Sequence, residues 1–181
     1  MNISSKGAER RFLAAPKSGW RMLAMGELEP MRLPKLPLVL LLTVALAAHA
    51  AGKKIFPDPS QARADVAAAL RQAAAEHKRV LLDFGGDWCP DCQVLDIYLH
   101  DAQNLPLLEK SFVVVHVNIG HVDANLDLAQ QYGVPLNKGV PALAVLDAHG
   151  RILYSQQNGE FEAMRRMQSS DVTKFLMKWK P

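Results

Sequence analysis

A short apolar run, Val80-Leu81-Leu82-Asp83-Phe84, passes through Gly85-Gly86 and within five residues reaches Cys89-Pro90-Asp91-Cys92, which holds the only two cysteines of the 181-residue chain. An apolar run of that length closed by glycines reads as a buried strand. From Cys89 to His100, Val94, Leu95, Tyr98 and Leu99 share one helical face. The sulfur pair therefore sits where a strand hands over to a helix, which ties the fold to a sheet with helices packed on it.

The rest of the chain agrees with that layout. The Ala-rich segment from Gln61 to His77 carries Val66, Leu70 and Ala73 at helical spacing, with Ser60 as its expected N-cap. Phe112 to Ile119 is a β-branched strand, and Ala124 to Tyr132 a further helix. Ala142–Leu146 and Ile152–Tyr154 flank the turn signal Asp147-Ala148-His149-Gly150 and form a hairpin. A last amphipathic helix runs from Asp171 to Trp179, with Ser169 or Ser170 as cap. The expected architecture is α/β: one three-layer domain over residues 51–181, with a central mixed sheet and helices on both faces.

Charge separates this domain from what precedes it. Residues 51–181 hold 14 Lys and Arg against 15 Asp and Glu, whereas residues 1–50 hold 7 against 3. The net charge of +3 thus belongs to the N-terminal part, and the near-neutral domain offers no electrostatic footing for nucleic acid. From Met31, Arg32 and Lys35 precede an apolar run, Leu36 to Ala48, that ends in small residues. This is the layout of a secretory signal peptide over residues 31–50. The run is too short for a spanning helix, so cleavage near Ala50 is expected, with no stable membrane insertion afterwards. No Cys follows that could be acylated. Residues 1–30 lack periodicity and read as a mis-annotated or disordered extension, with Met31 the expected start. The mature chain is expected to be periplasmic or secreted.

A thiol in the first turn of a helix faces unpaired N–H groups and the positive end of the dipole, so Cys89 is the expected attacking thiolate. Cys92, one turn deeper and less exposed, is expected to resolve the mixed disulfide. Pro90 suits the first helical position. Other uses of a C-x-x-C pair fit less well. A zinc site needs four ligands and there is no second pair, haem attachment wants His where Gln93 stands, and a purely structural disulfide would close a loop too short to stabilise much.

The segment Asp83-Phe84-Gly85-Gly86-Asp87-Trp88-Cys89-Pro90-Asp91-Cys92 resembles the Asp-Phe-x-x-x-Trp-Cys-x-x-Cys pattern of the thioredoxin superfamily. Val117-Asn118-Ile119, Gln131-Tyr132-Gly133-Val134 and Gly139-Val140-Pro141 follow in that family's order, so the likeness spans roughly residues 60–180. It implies a thioredoxin fold and a thiol-disulfide oxidoreductase of the small exported bacterial kind. By the same resemblance Pro141 is a cis-proline beside the disulfide, Asp83 a buried carboxylate that exchanges a proton with Cys92, and Trp88 an aromatic shielding the exposed sulfur. Trp88, Val140, Pro90 and Asp91 are expected to line the substrate groove.

There are departures from the pattern. Pro-Asp stands between the cysteines where thioredoxin has Gly-Pro, and carboxylates at Asp87 and Asp91 should oppose ionisation of Cys89, favouring a reductant. His116 falls where thioredoxin has a lysine, Pro135-Leu136-Asn137 is an insertion, and Ala142 replaces a threonine.

The expected activity is dithiol-disulfide exchange with protein thiols and disulfides outside the cytoplasm, with no cofactor beyond the Cys89–Cys92 disulfide, no metal, and a membrane thiol electron donor as implied partner. Two alternatives stay open: a non-enzymatic thioredoxin-fold binding module or chaperone, and a dedicated reductase in cytochrome-c or copper-site maturation.

Overall fold

A single strand organises the molecule. In the computed structural model, which describes residues 54–181, β1 (Arg79–Gly85) has every residue after Arg79 buried. It lies between β2 (Phe112–Asn118), parallel to it, and β3 (Ala142–Leu146), antiparallel to it; β4 (Ile152–Ser155) completes the order β2-β1-β3-β4. A strand paired on both edges and covered on both faces needs an unbroken apolar run, and Val80-Leu81-Leu82 supplies one. The expected extension (1–30), leader (31–50) and start at Met31 fall outside the described residues.

Alternation along β1 divides the core. Val80, Leu82 and Phe84 meet α1 (Ala62–Glu76) through Val66, Ala69 and Ala73, and meet α4 (Leu126–Gln131) through Leu128 and Ala129. Leu81 faces the other way, against Leu95 and Leu99 of α2 (Pro90–Leu99) and Val172 and Leu176 of α5 (Ser169–Trp179). Asp83 and Gly85 share the side of Leu81 by the same period of two, so the acid is carried under α2, the helix with the cysteines.

The helix caps differ from expectation. The residue that starts the first helical segment is Asp58: its Oδ1 accepts from both the N–H and the hydroxyl of Ser60, at 2.9 and 2.7 Å. A 3-10 turn over Pro59–Gln61 then leads into α1. A carboxylate two residues upstream outcompetes a hydroxyl as acceptor, and Ser60 becomes the donor. Gln168, not Ser169 or Ser170, caps α5, and its N–H donates to Asp171 Oδ2 at 3.1 Å. The Ser169 hydroxyl is bound to Asp101 instead. A helix without a sequence signal, α3 (Leu105–Ser111), packs beside α5, where fully buried Asn104 donates to Tyr98 O (2.8 Å) and Ser169 Oγ (3.0 Å).

Candidate active site

The turn from β1 to α2 is set by Gly86, whose carbonyl accepts the Cys89 N–H at 3.0 Å. Cys89 is the N-cap of α2 in extended conformation, Pro90 occupies the first turn where no N–H is needed, and Cys92 follows one turn on. The two sulfurs are bonded to each other, with Cα atoms 5.3 Å apart. The Cys92 N–H, a buried helix-terminal donor, donates to Cys89 Sγ at 3.2 Å, the kind of bond expected to favour a thiolate there. Cys92 is fully buried, as its deeper position predicts, but Cys89 is itself only 4% exposed.

The Val140–Pro141 bond is cis, and Val140 O lies 3.6 Å from Cys89 Sγ. Beneath the pair, Gly85 leaves room that a side chain would fill: a Cβ there would stand 2.6 Å from Cys92 Sγ and 2.9 Å from Phe56 Cζ. Asp83, two residues back on the same side of β1, is fully buried. Its Oδ2 is 2.9 Å from His116 Nδ1 on the neighbouring strand, where the two residues are register partners. Its Oδ1 has no hydrogen-bond partner among the described residues. A buried carboxylate oxygen without a donor is costly.

An aromatic that the sequence did not mark packs on the sulfurs. Phe56, fully buried, packs on both cysteines together with Ile55 and Val140, and meets the His116 ring edge-on at 5.3 Å. Trp88 is 45% exposed, stacks on His121 and donates from Nε1 to Gly120 O. It stands at the rim of the site.

A segment that reads in sequence only as a Pro-rich opening is therefore a strap across the redox centre. Asp87 Oδ1 accepts the N–H groups of Ile55 and Phe56 at 2.8 and 3.2 Å, Asn118 Nδ2 donates to Pro57 O at 2.8 Å, and Asn125 Nδ2 to Pro59 O at 2.9 Å. Asp87, expected to oppose ionisation of Cys89, is occupied with these bonds.

Asp91 is occupied as well. Its Oδ1 accepts the Arg165 N–H at 2.9 Å, and its Oδ2 lies 3.1 Å from both Nε and NH2 of that guanidinium. Burial pushes the Asp91 carboxyl up, but these bonds push it further down, below the usual carboxylate value. The expected groove residue thus turns to the loop before α5, beside a cavity of about 310 Å³ lined by Glu162, Ala163, Arg165 and Arg166.

Among the described residues, no group of three His, Cys, Asp or Glu side chains is placed to hold a metal, and no helix is long and apolar enough to cross a membrane.

Residues 61–148 match the model of a family described as thioredoxin-like. A disulphide isomerase of known structure from Xylella fastidiosa Temecula1 is 35% identical, with 71% of this chain and 98% of that one covered and a TM-score of 0.67. The chain belongs to the thioredoxin-like family. Other similar structures include the reduced C-terminal domain of Neisseria meningitidis DsbD (21% identity, 68% of this chain and 98% of that one, TM-score 0.49) and a thioredoxin from Thermus thermophilus (24%, 68% and 83%, TM-score 0.45). No curated protein matches the chain.

For this thioredoxin-like chain the sequence located the two cysteines, the acid and the proline that the fold brings together. It did not locate Phe56 or Arg165. Nothing local marks either one, since Arg165 reaches Asp91 across 74 positions and Phe56 reaches Asp87 across 31.

Proposed function

We propose that the chain is a thiol-disulfide oxidoreductase that reduces disulfides of protein substrates outside the cytoplasm. The observation that carries this reading is the Cys89–Cys92 disulfide at the mouth of α2, set against the Val140–Pro141 cis bond, with Asp83 buried two residues before Gly85 on the strand that leads to it. Membership of the thioredoxin-like family, and the likeness to a disulphide isomerase, support it.

The chemistry follows from the positions. In the reduced form, Cys89 thiolate attacks a substrate disulfide; the new S–S bond joins Cys89 to one substrate sulfur, and the other leaves as thiolate. Cys92 then gives its proton to Asp83 and attacks Cys89 Sγ, which frees the second substrate thiol. Two electrons pass from the dithiol to the substrate, and Cys89–Cys92 returns to the disulfide. Trp88, at the exposed rim, and the Val140 backbone, beside the attacking sulfur, hold the incoming polypeptide, with Pro90 at the same end of α2.

The reducing direction rests on what surrounds Cys89 Sγ: one N–H at 3.2 Å and a carbonyl oxygen at 3.6 Å. A carbonyl favours the protonated thiol, and weak thiolate stabilisation keeps the disulfide stable relative to the dithiol. Arg165 offsets the carboxylate of Asp91, whereas that of Asp87 is held only by neutral N–H groups and acts in the same direction as the carbonyl. No cofactor is needed beyond the cysteine pair. Export rests on the signal-like leader, and in an oxidising compartment the dithiol requires a membrane thiol donor to restore it.

Insulin turbidity with dithiothreitol tests the activity. Wild type is expected to accelerate precipitation and Cys89→Ser to abolish the acceleration; equal rates for the two would refute it. The near-complete enclosure of Cys89 favours a second reading, an inert disulfide in a polypeptide-binding module, and the same assay separates the two. Cys92→Ala, which traps the partner as a mixed disulfide, reports whether the client is a cytochrome-c or copper-site maturation protein.

A further inference from the structure

We propose that Arg165 is a positioning residue for the redox centre: by holding the Asp91 carboxylate it cancels the acidic charge in the first turn of α2, beside Cys89. This rests on the oxidoreductase reading above. Asp91 is the acidic residue of that first turn, where a negative charge interacts favourably with the dipole but repels a thiolate on the N-cap sulfur. The Asp91 side chain is 12% exposed and that of Arg165 63%, so water screens the pair in part. Its two oxygens are taken by one residue, through a backbone N–H at 2.9 Å and a guanidinium with Nε and NH2 each at 3.1 Å.

The other charged groups around Cys89 are engaged elsewhere. Asp87 accepts the strap N–H groups, Asp83 pairs with His116 behind Cys92, and Arg166 NH2 is 3.6 Å from Glu162. His121 is stacked on Trp88, and Asp96 pairs with His100 at the far end of α2. Arg165, with Arg166 adding a weaker attraction, is thus the cation set directly against the Asp91 carboxylate in the turn that carries Cys89. The clasp also docks the Met164–Arg166 turn onto α2, so a merely structural role has to be separated from an electrostatic one.

The two roles predict different patterns in the rate of Cys89 alkylation by iodoacetamide, read by peptide mass spectrometry on the reduced full chain across pH. Charge cancellation predicts that Arg165→Met lowers the Cys89 thiolate fraction at fixed pH by about threefold to tenfold, the effect of one nearby partly screened charge. Asp91→Asn then raises it by a similar factor. The double variant, with no charge at either position, returns to within about twofold of wild type, as does Arg165→Lys, which keeps the cation and loses the fork. Shifts of the same sign in the two single variants, an Arg165→Lys profile like that of Arg165→Met, or no shift in Arg165→Met each overturn the proposal. A wild type that accelerates insulin precipitation no more than Cys89→Ser overturns the oxidoreductase reading itself, and the clasp's role with it.

Discussion

Replacing Phe56 with alanine tests whether the strap is part of the redox centre or only lies across it. The ring is fully buried against both cysteines and the edge of His116. Deleting a buried phenylalanine ring costs about 3–5 kcal/mol. Phe56 lies near the start of the described chain, where backbone can collapse into the space, so the lower end, about 3 kcal/mol, is expected. With a urea m-value of about 1.5 kcal/mol/M for a domain of this size, the midpoint falls by about 2 M. The same deletion removes the cover from Cys92, so Cys92 in the reduced protein is expected to alkylate faster with iodoacetamide under native conditions. Phe56→Leu, which keeps most of the apolar volume, should recover more than half of the stability. A loss below 1 kcal/mol together with unchanged Cys92 alkylation would show that the ring neither packs nor seals, and would refute the argument.

Asp83→Asn removes the proposed proton acceptor and should slow the second step on the order of a hundredfold while leaving the first attack intact; stopped-flow measurement would show the mixed disulfide accumulating. Gly85→Ala forces a Cβ to 2.6 Å from Cys92 Sγ, and overpacking of this kind costs about 1–3 kcal/mol, checked by thermal unfolding of the oxidised protein. Asp91 has its folded pKa held below the unfolded value by Arg165, so its contribution to stability is present above the unfolded carboxylate pKa and is lost as pH falls through the lower folded one. Acid titration of wild type against Asp91→Asn should therefore show a steeper loss of stability for wild type below about pH 4. Matching slopes would contradict it.

What could be read from the sequence depended on how local each determinant was. β1 announced itself because a fully buried strand has to be written in apolar residues, and the hairpin because Asp147 and Gly150 mark the turn between β3 and β4. The pair Cys89 and Cys92 was legible because a helix turn spaces them. Other determinants were hidden by competition or distance. Ser60 is a good cap in isolation, yet Asp58 stands two residues earlier and takes its N–H. Helix α3 has seven residues, too few for a periodic signal. Phe56 and Arg165 act through contacts across the fold, and no spacing rule connects an aromatic in a Pro-rich segment to a cysteine more than 30 positions on.

The bonds from Asp87 to Ile55 and Phe56 join the first described residues to the loop that carries Cys89. Those two bonds couple the backbone at Ile55 and Phe56 to the turn before α2, so a shift of either is passed to the neighbourhood of Cys89. Cys89 reactivity is in this sense a property of the strap as well as of the helix that bears it.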